Sequence, residues 1–277
     1  MTTTPHVTLN DGVTMPQLGF GVFQVPNDET RAAVTHALEA GYTSIDTAAA
    51  YGNEEAVGQA IAESGVPRDD LFVTTKLWNA DQGHDRTLRA FDTSLGKLGL
   101  DRVDLYLIHW PTPARGLQVE TWKAFAKLLS DGRVRSIGVS NFQPDHLRQV
   151  IDATGVVPSV NQVELHPFFN QAALRAFHAE QGITTEAWAP LGQGGELLSD
   201  RTVTAVAAKH DRSPAQVVLR WHLQLGTVVI PKSVTPARIA ENIDVFDFTL
   251  DDEDVEALSG LDTGKRLGSD PDTFNAA

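Results

Sequence analysis

The chain has 277 residues, 42% hydrophobic and 21% charged, a globular balance with room for one large domain or two small ones. It has no cysteine, which excludes disulfides, a thiol nucleophile and a thiolate metal site, and fits a reducing compartment such as the cytoplasm. A formal charge of −14 argues against nucleic acid or an anionic membrane as the main partner, so an anionic ligand would need a few basic residues that reverse the field locally.

Met1 to His6 has no basic region followed by an apolar run, so no targeting segment is expected. No apolar stretch approaches the ~18 residues of a membrane span. Val7 to Met15 alternates apolar residues around Asn10-Asp11-Gly12, a hairpin signal. Strands and helices then alternate. Gln17 to Phe23 reads as a strand. A helix follows over Asp28 to Ala40, with Val34, Ala37 and Leu38 on one face and Gly41 as its stop. Tyr42 to Ile45 is the second strand, leading to Asp46, and a helix runs from about Asn53 to Ser64. Leu71 to Lys76 is the third, followed by a helix over Asp85 to Leu98 with Leu88, Phe91, Leu95 and Leu98 at helical spacing.

Val103 to His109 is the fourth strand, and its helix points Trp122, Phe125 and Leu129 inward and ends at Gly132. Val134 to Val139 is the fifth, with Pro144 in the first turn of the next helix. Ser159 to Glu164 is the sixth, before a helix that carries Leu174 and Phe177 and stops near Gly182. Ile183 to Trp188 is the seventh. Two helices follow it, the second running from Ser213-Pro214 to Gly226. Thr227 to Ile230 is the eighth, Thr235-Pro236 caps the last barrel helix, and a helix over Asp251 to Leu258 precedes a polar tail.

Eight strands alternating with helices, with no long linker, predict a (β/α)8 TIM barrel occupying 1–277 as a single domain. The N-terminal hairpin, the extra helix after strand seven and the helix near the C-terminus are additions to it. A doubly wound sheet would need a third glycine after the first strand, where Gly19-Phe20-Gly21-Val22-Phe23-Gln24 supplies two.

A barrel of this kind keeps its chemistry at the C-terminal ends of its strands. Those ends are Asp46, Lys76, His109, Ser140-Asn141, Gln162 to Glu164, Trp188 and Lys232. Each has an ordinary explanation: a capping carboxylate, a solvated lysine, a buried histidine, loop polar groups, a core tryptophan. Together they face one opening and make chemical sense. Tyr51, five residues after Asp46, has an ordinary pKa of ~10. Lys76 beside it is expected to lower that pKa, Asp46 to hold the lysine charged, and His109 to donate into the same oxygen site. The product is a phenolic acid suited to protonating a developing alkoxide. The histidines lack paired ligand spacing, and no metal is expected.

These motifs are similar to those of the aldo-keto reductases, particularly the short bacterial 2,5-diketo-D-gluconate reductase-like branch. The resemblance is carried by Gly41-Tyr42 through Asp46-Thr47-Ala48, Tyr51-Gly52-Asn53-Glu54, Thr75-Lys76-Leu77-Trp78, Asp104 to Trp110, Ile137 to Phe142 and Asn161-Gln162. It implies a catalytic tetrad of Asp46, Tyr51, Lys76 and His109, and NADPH/NADP+ as cofactor. It implies nicotinamide contacts at Ser140, Asn141 and Gln162, with Trp188 stacked where the family usually has tyrosine. Leu191, Gly192, Gln193, Gly194 and Gly195 would form the loop over the pyrophosphate. Lys232, Ser233 and Arg238 would meet the 2′-phosphate and adenine, with Glu241 and Asn242 on the adenine and Val234 among the cofactor contacts. The substrate pocket would hold Phe23, Trp78, His109 and Trp110, with Phe23 in place of a tryptophan common in animal relatives. The branch implies a monomer acting on a small-molecule carbonyl.

The expected reaction is NADPH-dependent reduction of aldehydes and ketones: small polar carbonyls, α-dicarbonyls or keto-sugars such as 2,5-diketo-D-gluconate. One alternative is a Schiff-base aldolase using Lys76, which needs a neutral lysine and is opposed by Asp46. Another is a non-catalytic NADPH-sensing subunit. Specificity is expected to lie in Phe23 to Asn27, Asn79 to Asp85, Trp110 to Gly116 and a tail, Asp262 to Ala277, that is short enough to leave the pocket open.

Overall fold

A computed structural model describes residues 4–277. The expectation of no targeting segment falls partly on residues 1–3, outside those described. Among the described residues no helix is long and apolar enough to cross a membrane.

The hairpin is β1 (His6–Thr8) and β2 (Thr14–Pro16), paired antiparallel. Eight parallel strands follow: β3 (Phe20–Gly21), β4 (Ser44–Asp46), β5 (Phe72–Leu77), β6 (Val103–Ile108), β7 (Val134–Ser140), β8 (Val160–Glu164), β9 (Thr184–Trp188) and β10 (Val228–Val229). Each pairs with the next in sequence, the pattern forced by helical crossovers of one hand. The barrel closes where Gly19 N–H donates to Val229 O (2.8 Å) and Gly21 N–H to Pro231 O (3.1 Å). A Cβ at Gly19 would lie 2.8 Å from Ser44 Oγ, so the two glycines of this stretch serve close strand approach.

The connecting helices are α1 (Asn27–Ala40), α2 (Glu54–Glu63), α3 (His84–Leu98), α4 (Gln118–Ser130), α5 (Pro144–Thr154), α6 (Ala172–Gln181), α7 (Arg201–His210), α8 (Pro214–Gln224), α9 (Pro236–Ile243) and α10 (Asp252–Ser259). Ala33, Val34, Ala37 and Leu38 bury one face of α1, and Gly41 ends it at φ 100°. The hairpin plugs the N-terminal end of the barrel. Asp11 accepts hydrogen bonds from Ser136 and Ser159, and Leu9 and Met15 pack with Phe72, Leu105, Leu107, Val160 and Val228.

Several local expectations are corrected. The first and last barrel strands are two residues each, because closure runs through glycine and proline backbone beside them. Phe23 therefore leaves the strand and stands 51% exposed in a loop. On α4 Leu128 is buried and Leu129 only half-buried, and Leu88 and Phe177 are half-buried too. Thr235 occupies the cap position of α9, but its hydroxyl makes no capping bond, and Ser233 Oγ accepts from Thr235 N–H instead (3.1 Å).

The tail does more than leave the mouth open. Leu267 and Gly268 donate backbone N–H groups to the Glu164 carboxylate at 2.5 and 2.9 Å. A Cβ at Gly268 would lie 2.5 Å from the Trp188 ring, so only glycine lets the chain cross there. Beyond it, Phe274 packs on Trp110 (ring centroids 4.5 Å), Ala114 N–H donates to Asn275 Oδ1, and Asn79 Nδ2 to Ala276 O.

Candidate active site

The strand ends converge at the floor of a cleft with a cavity volume of about 1040 Å³. Asp46, the last residue of β4, accepts from Lys76 of β5 through Oδ1 at 2.5 Å. The fully buried Lys76 ammonium also donates to Thr47 O (2.8 Å) and lies 3.4 Å from the Tyr51 hydroxyl. Tyr51 is aimed by a short 3₁₀ turn, Ala49–Tyr51, that ends at Gly52 with φ 68°. Buried Asn53 pins this turn: its Oδ1 accepts from Thr47 Oγ1 and its Nδ2 donates to Val22 O. The Tyr51 ring meets Phe23 at 5.1 Å and His109 at 5.7 Å, and His109 meets Trp78 edge-on at 5.4 Å.

Burial is the largest influence on Lys76 and opposes its charge, but Asp46, by charge and hydrogen bond, together with Tyr51 and Glu186, outweighs it and holds the ammonium above its ordinary pKa. Tyr51 corrects the sequence-based expectation. Burial raises its pKa, Asp46 adds to the rise, and the lowering by Lys76 does not overcome them. The phenol therefore stays protonated in this site. Burial, and then the Lys76 charge, push His109 well below the ordinary histidine range, so its ring is neutral at pH 7. Its Nδ1 is buried without a partner among the described residues, which leaves Nε2 as the nitrogen that reaches the cleft.

One wall is a side-chain network. Ser140 Oγ donates to Gln162 O (2.8 Å) and accepts from Asn141 Nδ2 (3.1 Å). Asn141, held at φ 64°, also donates to His109 O (3.0 Å) and accepts Trp188 Nε1–H at Oδ1 (2.8 Å). That bond fixes the half-buried indole against the cleft. Gln162 Nε2 donates to Asp46 Oδ2 (2.8 Å) and to Glu186 Oε2 (2.9 Å). Backbone strain gathers here, since Gln24, Asn141, Ala189 and Gln193 all line the cleft with positive φ.

Trp78, Trp110, Phe23 and the unanticipated Phe274 line the inner part of the cleft. Leu191, Gln193 and Gly194 line it too, and Lys232, Ser233, Arg238, Glu241 and Asn242 line it around α9, the solvent-exposed end. Gly192 and Val234 are not among its lining residues, and Val234 is 41% exposed. Lys232 and Arg238 are exposed beside the start of α9 and form no ion pair among the described residues. Sequence spacing overlooked Glu186 and Phe274. Glu186 lies two residues before Trp188 on the same strand and so shares its inward face, a signal that was available.

A fixed charge, a protonated phenol and a neutral imidazole at the base of an aromatic-walled cleft suit proton delivery to an oxygen. Lys232 and Arg238, without an ion-pair partner among the described residues, suit an anion. A family model described as Aldo/keto reductase family matches residues 17–263. The chain is 54% identical over 269 residues to methylglyoxal reductase DkgA of Escherichia coli, covering 97% of each. It is 53% identical over 279 residues to morphine 6-dehydrogenase of Pseudomonas putida, covering 96% of this chain and 94% of that one. A crystal structure of a Gox0644 mutant in complex with NADPH superposes with a TM-score of 0.95 at 52% identity, covering 99% of each chain.

Proposed function

The chain belongs to the aldo/keto reductase family, whose chemistry is carbonyl reduction, and from that premise we propose that it reduces small polar carbonyls with NADPH, Tyr51 supplying the proton. The observation that carries this is the pairing of Asp46, Lys76, Tyr51 and His109 at one floor, with Lys232 and Arg238, unpaired among the described residues, lining the same cleft.

The residues present fit the cofactor. Lys232, Ser233 and Arg238 surround a helix start suited to a 2′-phosphate. Gln162 spends its amide hydrogens on Asp46 and Glu186, so its carbonyl is free to accept from a carboxamide. Trp188, braced by Asn141, offers a flat platform. Bound there, NADPH would supply the hydride.

Tyr51, protonated at rest, gives its proton to the substrate oxygen as negative charge develops. Lys76, 3.4 Å behind it, then stabilises the phenolate left behind. His109 Nε2–H donates a hydrogen bond to the same oxygen. The aromatic walls keep water from the reacting atoms. Lys76 cannot serve as an amine nucleophile while charged and sealed beneath Tyr51, which disfavours the aldolase alternative.

Likeness to methylglyoxal reductase supports α-dicarbonyl substrates, and likeness to morphine 6-dehydrogenase favours rigid polycyclic ketones as a second class. The test is loss of NADPH absorbance with purified protein and a panel of α-dicarbonyls, keto-sugars, aldehydes and polycyclic ketones. Activity on the first three classes is expected. Turnover confined to polycyclic ketones would overturn the substrate assignment, and no turnover on any member would overturn the enzyme reading.

A further inference from the structure

Two carboxyl groups, Asp46 on β4 and Glu186 on β9, converge on one amide nitrogen of Gln162 at 2.8 and 2.9 Å. Asp46 is ion-paired with Lys76 and can only accept. The Gln162 atom it touches must therefore be the NH2 nitrogen, and the carbonyl oxygen is the end turned toward the cleft that Gln162 lines. Asp46 satisfies one amide hydrogen. Without a second acceptor, the other hydrogen would be buried unpaired and the amide would hang on a single bond, its carbonyl free to swing out of line with the cleft.

We propose that Glu186 is a positioning residue: by accepting the second amide hydrogen it locks Gln162 with its carbonyl outward, so that the site selects a ring bearing an amide N–H donor. The inference rests on the proposed binding of NADPH in this cleft.

Glu186 suits this task because it is held neutral. It is fully buried, and its other oxygen, Oε1, has no partner among the described residues. An anionic oxygen so placed would be costly. Burial, with the Asp46 carboxylate adding to it, raises the pKa of Glu186 to about 8. The titratable groups around it are Asp46 from β4, Lys76 from β5 and Tyr51 from the turn after β4; β8 presents Gln162, and β10 pairs through apolar Val228. As a neutral acid Glu186 accepts through its carbonyl oxygen without adding a second negative charge beside Asp46. A glutamine in its place offers the same kind of acceptor.

The probes are NADP+, its 3-acetylpyridine analogue, which lacks the amide N–H, and adenosine 2′,5′-bisphosphate, which carries only the phosphate end. Dissociation constants are read from tryptophan fluorescence at pH 7. Wild type should bind NADP+ about tenfold more tightly than the analogue, the worth of one ordinary hydrogen bond. In Glu186→Ala that preference should fall to within about twofold, while affinity for the bisphosphate is kept. Glu186→Gln should restore the preference. An unchanged preference in Glu186→Ala, or one lost equally in Glu186→Gln, would overturn the clamp. If Glu186→Ala does not fold, Glu186→Leu gives the same reading. A wild type that binds none of the three, or does not distinguish the first two, would instead overturn the cofactor placement beneath it.

Discussion

At the floor of the cleft Lys76 is sealed from water and paired with Asp46 at 2.5 Å, whereas at the outer end Lys232 and Arg238 stand in solvent with no carboxylate partner among the described residues. The same sign of charge does different work in the two places. At the floor a low dielectric leaves each charge almost unscreened, so Lys76, Asp46 and Glu186 set whether neighbouring groups hold protons. At the outer end water and salt screen the cations, which leaves them able to attract and sort anions but not to tune acids. Reactivity and cofactor choice should therefore respond to different perturbations.

The largest expected effect is at the floor. Tyr51→Phe should lower single-turnover reduction by about 10²–10⁴-fold while leaving the NADPH dissociation constant unchanged. Lys76→Met should be at least as damaging, with no recovery at high pH, because the missing part is a fixed charge. A Tyr51→Phe enzyme that keeps more than about a tenth of the wild-type rate would remove the phenol from its role.

The outer end comes next. Lys232→Ala with Arg238→Ala should erode NADPH-over-NADH preference in kcat/KM by about 10²–10³-fold, through KM. Raising salt should shrink the wild-type preference and leave the Tyr51→Phe defect as it was. A preference indifferent to salt would break the comparison, since it would place the phosphate away from these exposed cations.

Acid titration sharpens it further. A histidine of ordinary pKa, ~6.5, would lose about tenfold of its neutral form by pH 5.5. His109 is held well below that value, so its neutral form persists, and kcat/KM should show no limb near pH 6.5. A limb there that vanishes in His109→Asn would contradict this.

The smallest effect is alkaline. Glu186 is protonated below about pH 8 and ionises above it, adding a negative charge to the floor. The oxidised nicotinamide ring is cationic and the reduced ring neutral, so the affinity ratio of NADP+ to NADPH should rise a few-fold from pH 7 to 9. Phosphate contacts cancel in that ratio. Glu186→Gln should flatten it; an equal rise in that variant would assign the effect elsewhere.

Much of this was legible in the sequence. Asp46, Lys76 and His109 each lie within one residue of the C-terminal end of a strand, and parallel topology sends all such ends to one face. Tyr51 followed from its spacing to Asp46 and its motif. The net direction of its pKa did not, because that depends on how deeply the hydroxyl is buried, and no local spacing encodes depth. Glu186 was recoverable from period-two alternation with Trp188, but a carboxylate inside a strand of a strongly acidic chain draws no notice. Phe274 was not recoverable. Its position depends on Glu164 gripping Leu267 and Gly268 about a hundred residues downstream, a contact that periodicity does not report.

That grip bears on how the protein is made. A chain emerging from the ribosome can pair β3 with β10 once residue 229 is free, but the wall at Phe274 waits for forty-five further residues. The barrel can thus close before the wall that carries part of its selectivity is in place, and a change that loosens the Glu164 grip would strike that wall while leaving the barrel standing.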